Sequence, residues 1–312
     1  MNRLSRRFFS AFAALVLLSL CGPAAVAEAP DRPLRLVATI FPAYDFARQI
    51  AGEEADITLL LPPGGDSHSY EPTPQDIIAI QNADLFLYTG GESDQWIEQV
   101  LHSMGDQAPV TFSMMDCVTA LTEEASQSME AEREEEAEMD EHVWTSPKNA
   151  RKIVAALRQT LCQLAPQNAE LFARRESAYQ EELQALDQAF AQTVETGKRK
   201  LIVFGDRFPF RYLVEAYGLS YDAAFPGCSE DSEPSVKTVI SLVETIRQEK
   251  IPVVFYIEFS SRKTADILCE ETGAKALLFH SCHTVSQQEL DDGATYLSLM
   301  KQNLAALKEA LN

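Results

Sequence analysis

Short apolar runs alternate with amphipathic stretches along most of this chain. Residues 34–40 (LRLVATI), 57–61, 85–88 and 110–112 are compact apolar segments, the pattern of strands buried on both faces. Between them, residues 44–51, 74–81 and 96–104 carry apolar positions at helical spacing. The second half repeats the alternation. Strands are expected over 201–204, 219–225, 253–257 and 276–279, and helices over 211–217, 236–249, 263–272 and 293–311. Strand followed by helix, many times over, predicts βαβ units and a mainly parallel sheet in each half. The middle of the chain differs. Ile153, Leu157, Leu161 and Leu164, then Tyr179, Leu183, Leu186 and Phe190, follow a helical period with no glycine before Gly197, and Pro166 marks a break or kink. The expected fold class is α/β, with two lobes at residues 28–146 and 197–312 joined by a helical connector at 147–196.

The two ends of the first lobe do not fit this alternation. Arg3, Arg6 and Arg7 precede an apolar run at residues 8–20, and Ala25-Val26-Ala27 closes it, the pattern of an export signal over residues 1–27. The run is short for a membrane span. Ser5-Arg6-Arg7-Phe8-Phe9 is like a twin-arginine signal, although the strongly apolar run favours the general route. Leu18-Ser19-Leu20-Cys21 is like a lipid-attachment site, with Leu20 large for its position, so Cys21 is an alternative anchor on the cell surface to a cleaved periplasmic form. Residues 123–141 are dominated by carboxylates, a composition that buries little apolar surface and predicts a mobile solvated loop, or one that gathers cations near a site. The net charge of −21 argues against nucleic acid as a partner and is compatible with cation collection. Export makes disulfides available. Cys117, Cys162, Cys228, Cys269 and Cys282 leave an odd thiol, and Cys228–Cys282 is the preferred pair.

Candidate chemistry gathers after the strands, where open α/β sheets place ligand sites. His68 lies in the Pro- and Gly-punctuated loop PPGGDSHSYEPTP after the second strand. His142 follows the acidic run at the start of the connector. Asp206 follows the strand at 201–204, and the run His280-Ser281-Cys282-His283 follows the last strand. Glu258 ends another strand and is a weaker candidate, while His102 sits in a helical stretch and reads as structural or solvated. If the sheets face each other, these points converge on one cleft. Imidazoles with a carboxylate suit Zn²⁺; Mn²⁺ and Fe²⁺ prefer more oxygen. A zinc hydrolase and a surface adhesion or interaction protein with structural zinc are the competing classes. The first lacks an H-E-x-x-H helix and a G-x-S-x-G elbow.

These residues carry a family resemblance. PPGGDSHSYEPTPQD (Pro62 to Asp76), DEHVWTSPKNA (Asp140 to Ala150), SEDSEPS (Ser229 to Ser235) and the TGAK turn (Thr272 to Lys275) are similar to the zinc- and manganese-binding solute-binding proteins of bacterial ABC transporters. The resemblance implies two α/β lobes joined by one long rigid helix, a metal in the interlobe cleft, a monomer, no catalysis, and delivery of the ion to a membrane ABC permease. It places His68 and His142 on the first two ligand positions. The third family histidine opens an H-D-x-F-type motif, where this chain has Gly205-Asp206-Arg207-Phe208, so that histidine is replaced by Gly205 or Arg207. The family's carboxylate follows the strand after the TGAK turn, where His280 stands. The implied metal set is His68, His142 and His280, completed by Asp206, His283 or water.

Overall fold

The computed structural model describes residues 32–129, 138–227 and 233–312. The signal segment with Cys21, the centre of the acidic run and Cys228 lie outside the described residues. The first lobe comprises β1 (Leu34–Ala38), α1 (Phe41–Ala51), β2 (Ala55–Leu59), α2 (Pro74–Gln81), β3 (Leu85–Tyr88), α3 (Gln95–Met104) and β4 (Val110–Ser113). Two helices follow, α4 (Pro147–Leu164) and α5 (Ala169–Thr196). The second lobe comprises β5 (Leu201–Phe208), α6 (Arg211–Tyr217), β6 (Ser220–Pro226), α7 (Val236–Glu249), β7 (Val253–Tyr256), α8 (Lys263–Thr272), β8 (Lys275–Leu278), α9 (Gln287–Asp291) and α10 (Tyr296–Leu311).

Each lobe holds a four-stranded, all-parallel sheet, in the orders β2-β1-β3-β4 and β6-β5-β7-β8. In both, strand order reverses beside the first strand of the lobe. That reversal opens a crevice at the carboxyl ends, where loops leave for opposite faces of the sheet. The alternation of side chains explains the layering. Leu36 and Ala38 of β1, and Ile202 and Phe204 of β5, point into one continuous core that also contains Leu157 and Leu161 of α4, Leu183 and Phe190 of α5, and Leu307 of α10. Val37 points the other way, into a small cluster with Ile80 and Ile97, and Val203 into another with Leu242, Ile246 and Leu268. One apolar core thus runs through both lobes and the helices between them.

The connector is a helical hairpin. A proline lacks the N–H a helix needs and clashes with the preceding turn, and α4 ends just before Pro166. The chain then reverses: Gln180 of α5 bonds both the side chain and the carbonyl of Arg151 in α4. The long helix is therefore α5 alone, 28 residues or about 42 Å. It packs against α1 of the first lobe and α10 of the second, so it braces both.

The described ends of the acidic run are docked, not free. Thr122 and Met139 form an antiparallel bridge. Ser126 and Ser128 donate through their hydroxyls to buried Asp222 of β6, at 2.7 and 2.6 Å, and Tyr221 donates to the carbonyl of Glu124. The Tyr212 hydroxyl donates to the carbonyl of Asp140 and accepts from the N–H of Leu121. Serines and backbone groups, rather than the carboxylates that dominate the composition, make most of these attachments. That is why charge content alone predicts a free loop.

Candidate metal centre

Three loops from different parts of the chain bring His68, His142 and His283 together. One ligating nitrogen from each lies within 4.8 Å of the others. The ring centroids form a near-equilateral triangle with sides of 5.8, 5.8 and 6.0 Å. The rings line a cleft of about 150 Å³ between the lobes, whose wall includes Asp66, Arg207, Glu258 and Phe259.

Each imidazole is held by a neighbour. Asp66 accepts the backbone N–H of His68 and so caps the short turn at Ser67–Ser69. Nδ1 of His68 lies 2.8 Å from the Ser93 hydroxyl, and the N–H of Ser93 donates to Glu141 at 2.7 Å. Asp140 accepts the backbone N–H of His142 at 2.8 Å and faces its Nδ1 at 3.2 Å. Nε2 of His283 meets the Ser67 hydroxyl at 2.6 Å. Such partners fix ring orientation and tautomer, and for His68 and His142 they leave Nε2 as the donor without a protein partner among the described residues.

The electrostatics favour rings ready to bind a cation. Burial lowers the pKa of His68, and the neighbouring His142 lowers it further. Burial, together with His68 and His142, holds His283 well below the ordinary histidine value. Neutral imidazole is the metal-binding form. His142 differs: burial opposes its charge, but Asp140 outweighs that cost and raises its pKa.

Three nitrogen donors in a narrow cleft are chemistry for a borderline-soft divalent ion rather than for an all-oxygen ion. The family described as zinc-uptake complex component A, periplasmic, matches residues 36–310. The chain belongs to this zinc-uptake family. It is 32% identical over 305 residues to the high-affinity zinc uptake system protein ZnuA of Bacillus subtilis, covering 96% of this chain and 95% of that protein. It is 33% identical over 302 residues to the zinc-binding lipoprotein AdcA of Streptococcus pneumoniae, covering 95% of this chain but only 60% of the relative's length. Its fold superposes on the Zn(II)-bound ZnuA-like domain of pneumococcal AdcA with a TM-score of 0.75 at 31% identity, covering 89% of this chain and 99% of that one. The metal-dependent lipoprotein YcdH of Bacillus subtilis gives a TM-score of 0.75 at 33% identity, covering 89% and 100%.

Within this zinc-uptake fold, the second-lobe residues are arranged differently from the set expected on sequence. His280 does not join the cluster; His283 does. Asn303 on α10 grips the backbone of His280, accepting from its N–H and donating to its carbonyl, both at 2.7 Å. The His280 ring is turned into the protein, where Nδ1 accepts the N–H of Cys282. Its buried Nε2 has no hydrogen-bond partner among the described residues and lies 3.8 Å from Glu289. Cys282 then takes a left-handed conformation, φ 62°. This tight turn carries the next residue, His283, back into the cleft. A positive φ at cysteine leaves no sequence signal, so the two histidines of the run could not be ranked by spacing.

Asp206 also stands apart from the imidazoles. Its carboxylate accepts the N–H groups of Arg207 and Ile257 and so ties β5 to the end of β7. Nor can position 205 hold a ligand: a Cβ there would lie 2.5 Å from Cα of Ala265 in α8. A register shift in β5 between Phe204 and Arg207 re-aims the strand end, and Arg207 reaches the cleft. Cys228 lies outside the described residues, and Cys282, its expected disulfide partner, is a free, fully buried thiol. Burial pushes its pKa well up, which keeps it protonated and unreactive. His102 lies on α3, away from the cleft.

Proposed function

We propose that this chain binds Zn²⁺ at His68, His142 and His283 and delivers it, outside the cytoplasm, to a membrane ABC permease. The observation that carries this reading is the convergence of three imidazole nitrogens within 4.8 Å in a cleft between two lobes. Export, to the surface or the periplasm, belongs to the same reading. It is supported by the basic and apolar residues ahead of Ala27 and by the relatives' names as lipoproteins. The site is built to bind and release. The imidazoles are held by hydrogen-bonding neighbours before an ion arrives, and the ion itself is the cargo.

The shared core and the brace of α5 restrict how far the lobes can swing. Further ties cross the cleft floor. Trp144 donates to the carbonyl of Ser281 at 2.8 Å, Gly64 donates to the carbonyl of Val285 at 2.9 Å, and Phe41 donates to the carbonyl of His283 at 3.2 Å. Loading and release should therefore involve local movement of the loops rather than wide lobe opening. Calorimetric titration of the metal-stripped protein tests the reading. One tight equivalent of Zn²⁺ is expected, and no stoichiometric binding would overturn it.

A further inference from the structure

The three imidazoles supply three neutral donors, whereas zinc takes at least four. The two carboxylates lining the cleft are already engaged. Asp66 accepts from Arg207 Nη1 at 3.1 Å and from the N–H of His68 at 3.1 Å. Glu258 accepts both the N–H and the hydroxyl of Ser281 and so shapes the turn that presents His283. Asp206, just behind the wall, is spent on two backbone N–H groups.

Arg207 stands on this wall with donors to spare. A guanidinium has five N–H donors, and among the described residues only Nη1 meets a side-chain partner, Asp66. Its side chain keeps 28% of its exposure, on the cleft side. It lines the same cleft as the three imidazoles, and its partner Asp66 also caps the turn that carries His68.

Resting on the zinc reading above, we infer that the open coordination position is filled from solution by a small planar carboxylate-type anion, such as bicarbonate or acetate, held jointly by the metal and by Arg207. The guanidinium fork matches the O–C–O geometry of such an anion and binds it by paired, charge-assisted hydrogen bonds. The carboxylates near the centre are not free to fill the position: Asp66 and Glu258 on the cleft wall are engaged, and Asp140 serves the far side of His142 through its backbone N–H and Nδ1. The space is sufficient. A cleft of about 150 Å³ holds roughly five water volumes, enough for the ion and an anion of three or four heavy atoms. Arg207 thus does indirectly what a fourth side-chain ligand does directly, and release of the anion opens the shell from which the metal leaves.

The test uses the whole exported chain loaded with one equivalent of Co²⁺, whose visible absorption reports its coordination. Acetate and bicarbonate are titrated separately, with perchlorate holding the ionic strength. Wild-type protein should show a saturating spectral change, and Arg207→Gln, compared at the same cobalt loading, should need at least about tenfold more anion for half-saturation. Arg207→Lys, which keeps the charge without the fork, should fall between them. A response to bicarbonate alone assigns the position to dissolved carbonate, and a response to both assigns it to short carboxylates generally. A cobalt spectrum indifferent to both anions, or equal half-saturation in Arg207→Gln, overturns the inference while leaving the metal site intact. Failure to bind cobalt or zinc at all refutes the zinc reading itself.

Discussion

The substitution Asp140→Asn probes how the protein prepares a ligand it has buried. Asp140 and His142 are both almost wholly buried, and one carboxylate oxygen of Asp140 serves the histidine's backbone N–H and its Nδ1. Asparagine keeps the shape and can still accept from the backbone, but it removes the charge that makes the imidazole a stronger donor. A hydrogen bond to a charged group contributes about 1.5–3 kcal/mol, equivalent to a change of roughly 10- to 150-fold in affinity. Losing the outer partner of a metal-bound histidine elsewhere costs about 10- to 100-fold. The two estimates agree, so the variant should bind Zn²⁺ about 10- to 100-fold more weakly near pH 7.5.

The pH dependence gives a second, independent reading of the same change. In the wild type Asp140 raises the pKa of His142 against the effect of burial, so protons compete for the ring as pH falls through that raised value. In the variant the raising cause is gone while burial remains, and proton competition begins at lower pH. The gap between the two proteins should therefore be widest near pH 7.5 and narrow toward about pH 6. Competition against a fluorescent zinc chelator across this range measures it. Equal affinity at pH 7.5, or a gap that fails to narrow, would refute the assignment of Asp140 as the residue that tunes His142.

Other predictions follow from the second lobe and the loop behind His68. His283→Ala should weaken zinc binding by more than about 100-fold, beyond the range for outer partners, while His280→Ala should cost at least tenfold less, both read by the same competition assay. Asn303→Ala strands the buried N–H and carbonyl of His280 and should destabilise the fold by about 3 kcal/mol in urea denaturation. Asp94 is buried beside Glu141, and burial pushes its pKa up to about 7 even though it accepts the N–H groups of Thr89 and Gly90. Because the native state holds this proton more tightly than the unfolded chain, its stabilising contribution is full below about pH 4 and is lost as pH rises through about 7. Asp94→Asn should flatten that part of the urea-midpoint profile, and an unchanged profile would argue against the raised value.

Much of the fold is legible in the sequence because buried parallel strands are continuous apolar runs and surface helices are periodic. Each sheet has four strands in the expected segments, and α1 to α8 fall close to the expected helices. The extension of β5 through Asp206 to Phe208 is not legible, since polar residues at a strand end look like a loop. Nor is the fold-back at Pro166, because the apolar period continues on both arms and a proline marks a stop without a direction. At the site, the loops holding His68 and His142 announce themselves by turn-forming residues and motif. The choice between His280 and His283 rests on the Asn303 clamp and the left-handed Cys282, and neither leaves a local sequence signal. The Gly205-Asp206-Arg207 segment looks like a lost ligand in sequence. In space it puts a guanidinium on the cleft wall.

The central claim is that one zinc ion sits among His68, His142 and His283. Diffraction from crystals of the zinc-loaded protein, collected on both sides of the zinc absorption edge, tests it directly. The account predicts a single strong anomalous peak within coordination distance, about 2.0–2.1 Å, of one nitrogen from each of these three rings. A peak at His280, or none in the interlobe cleft, would contradict it.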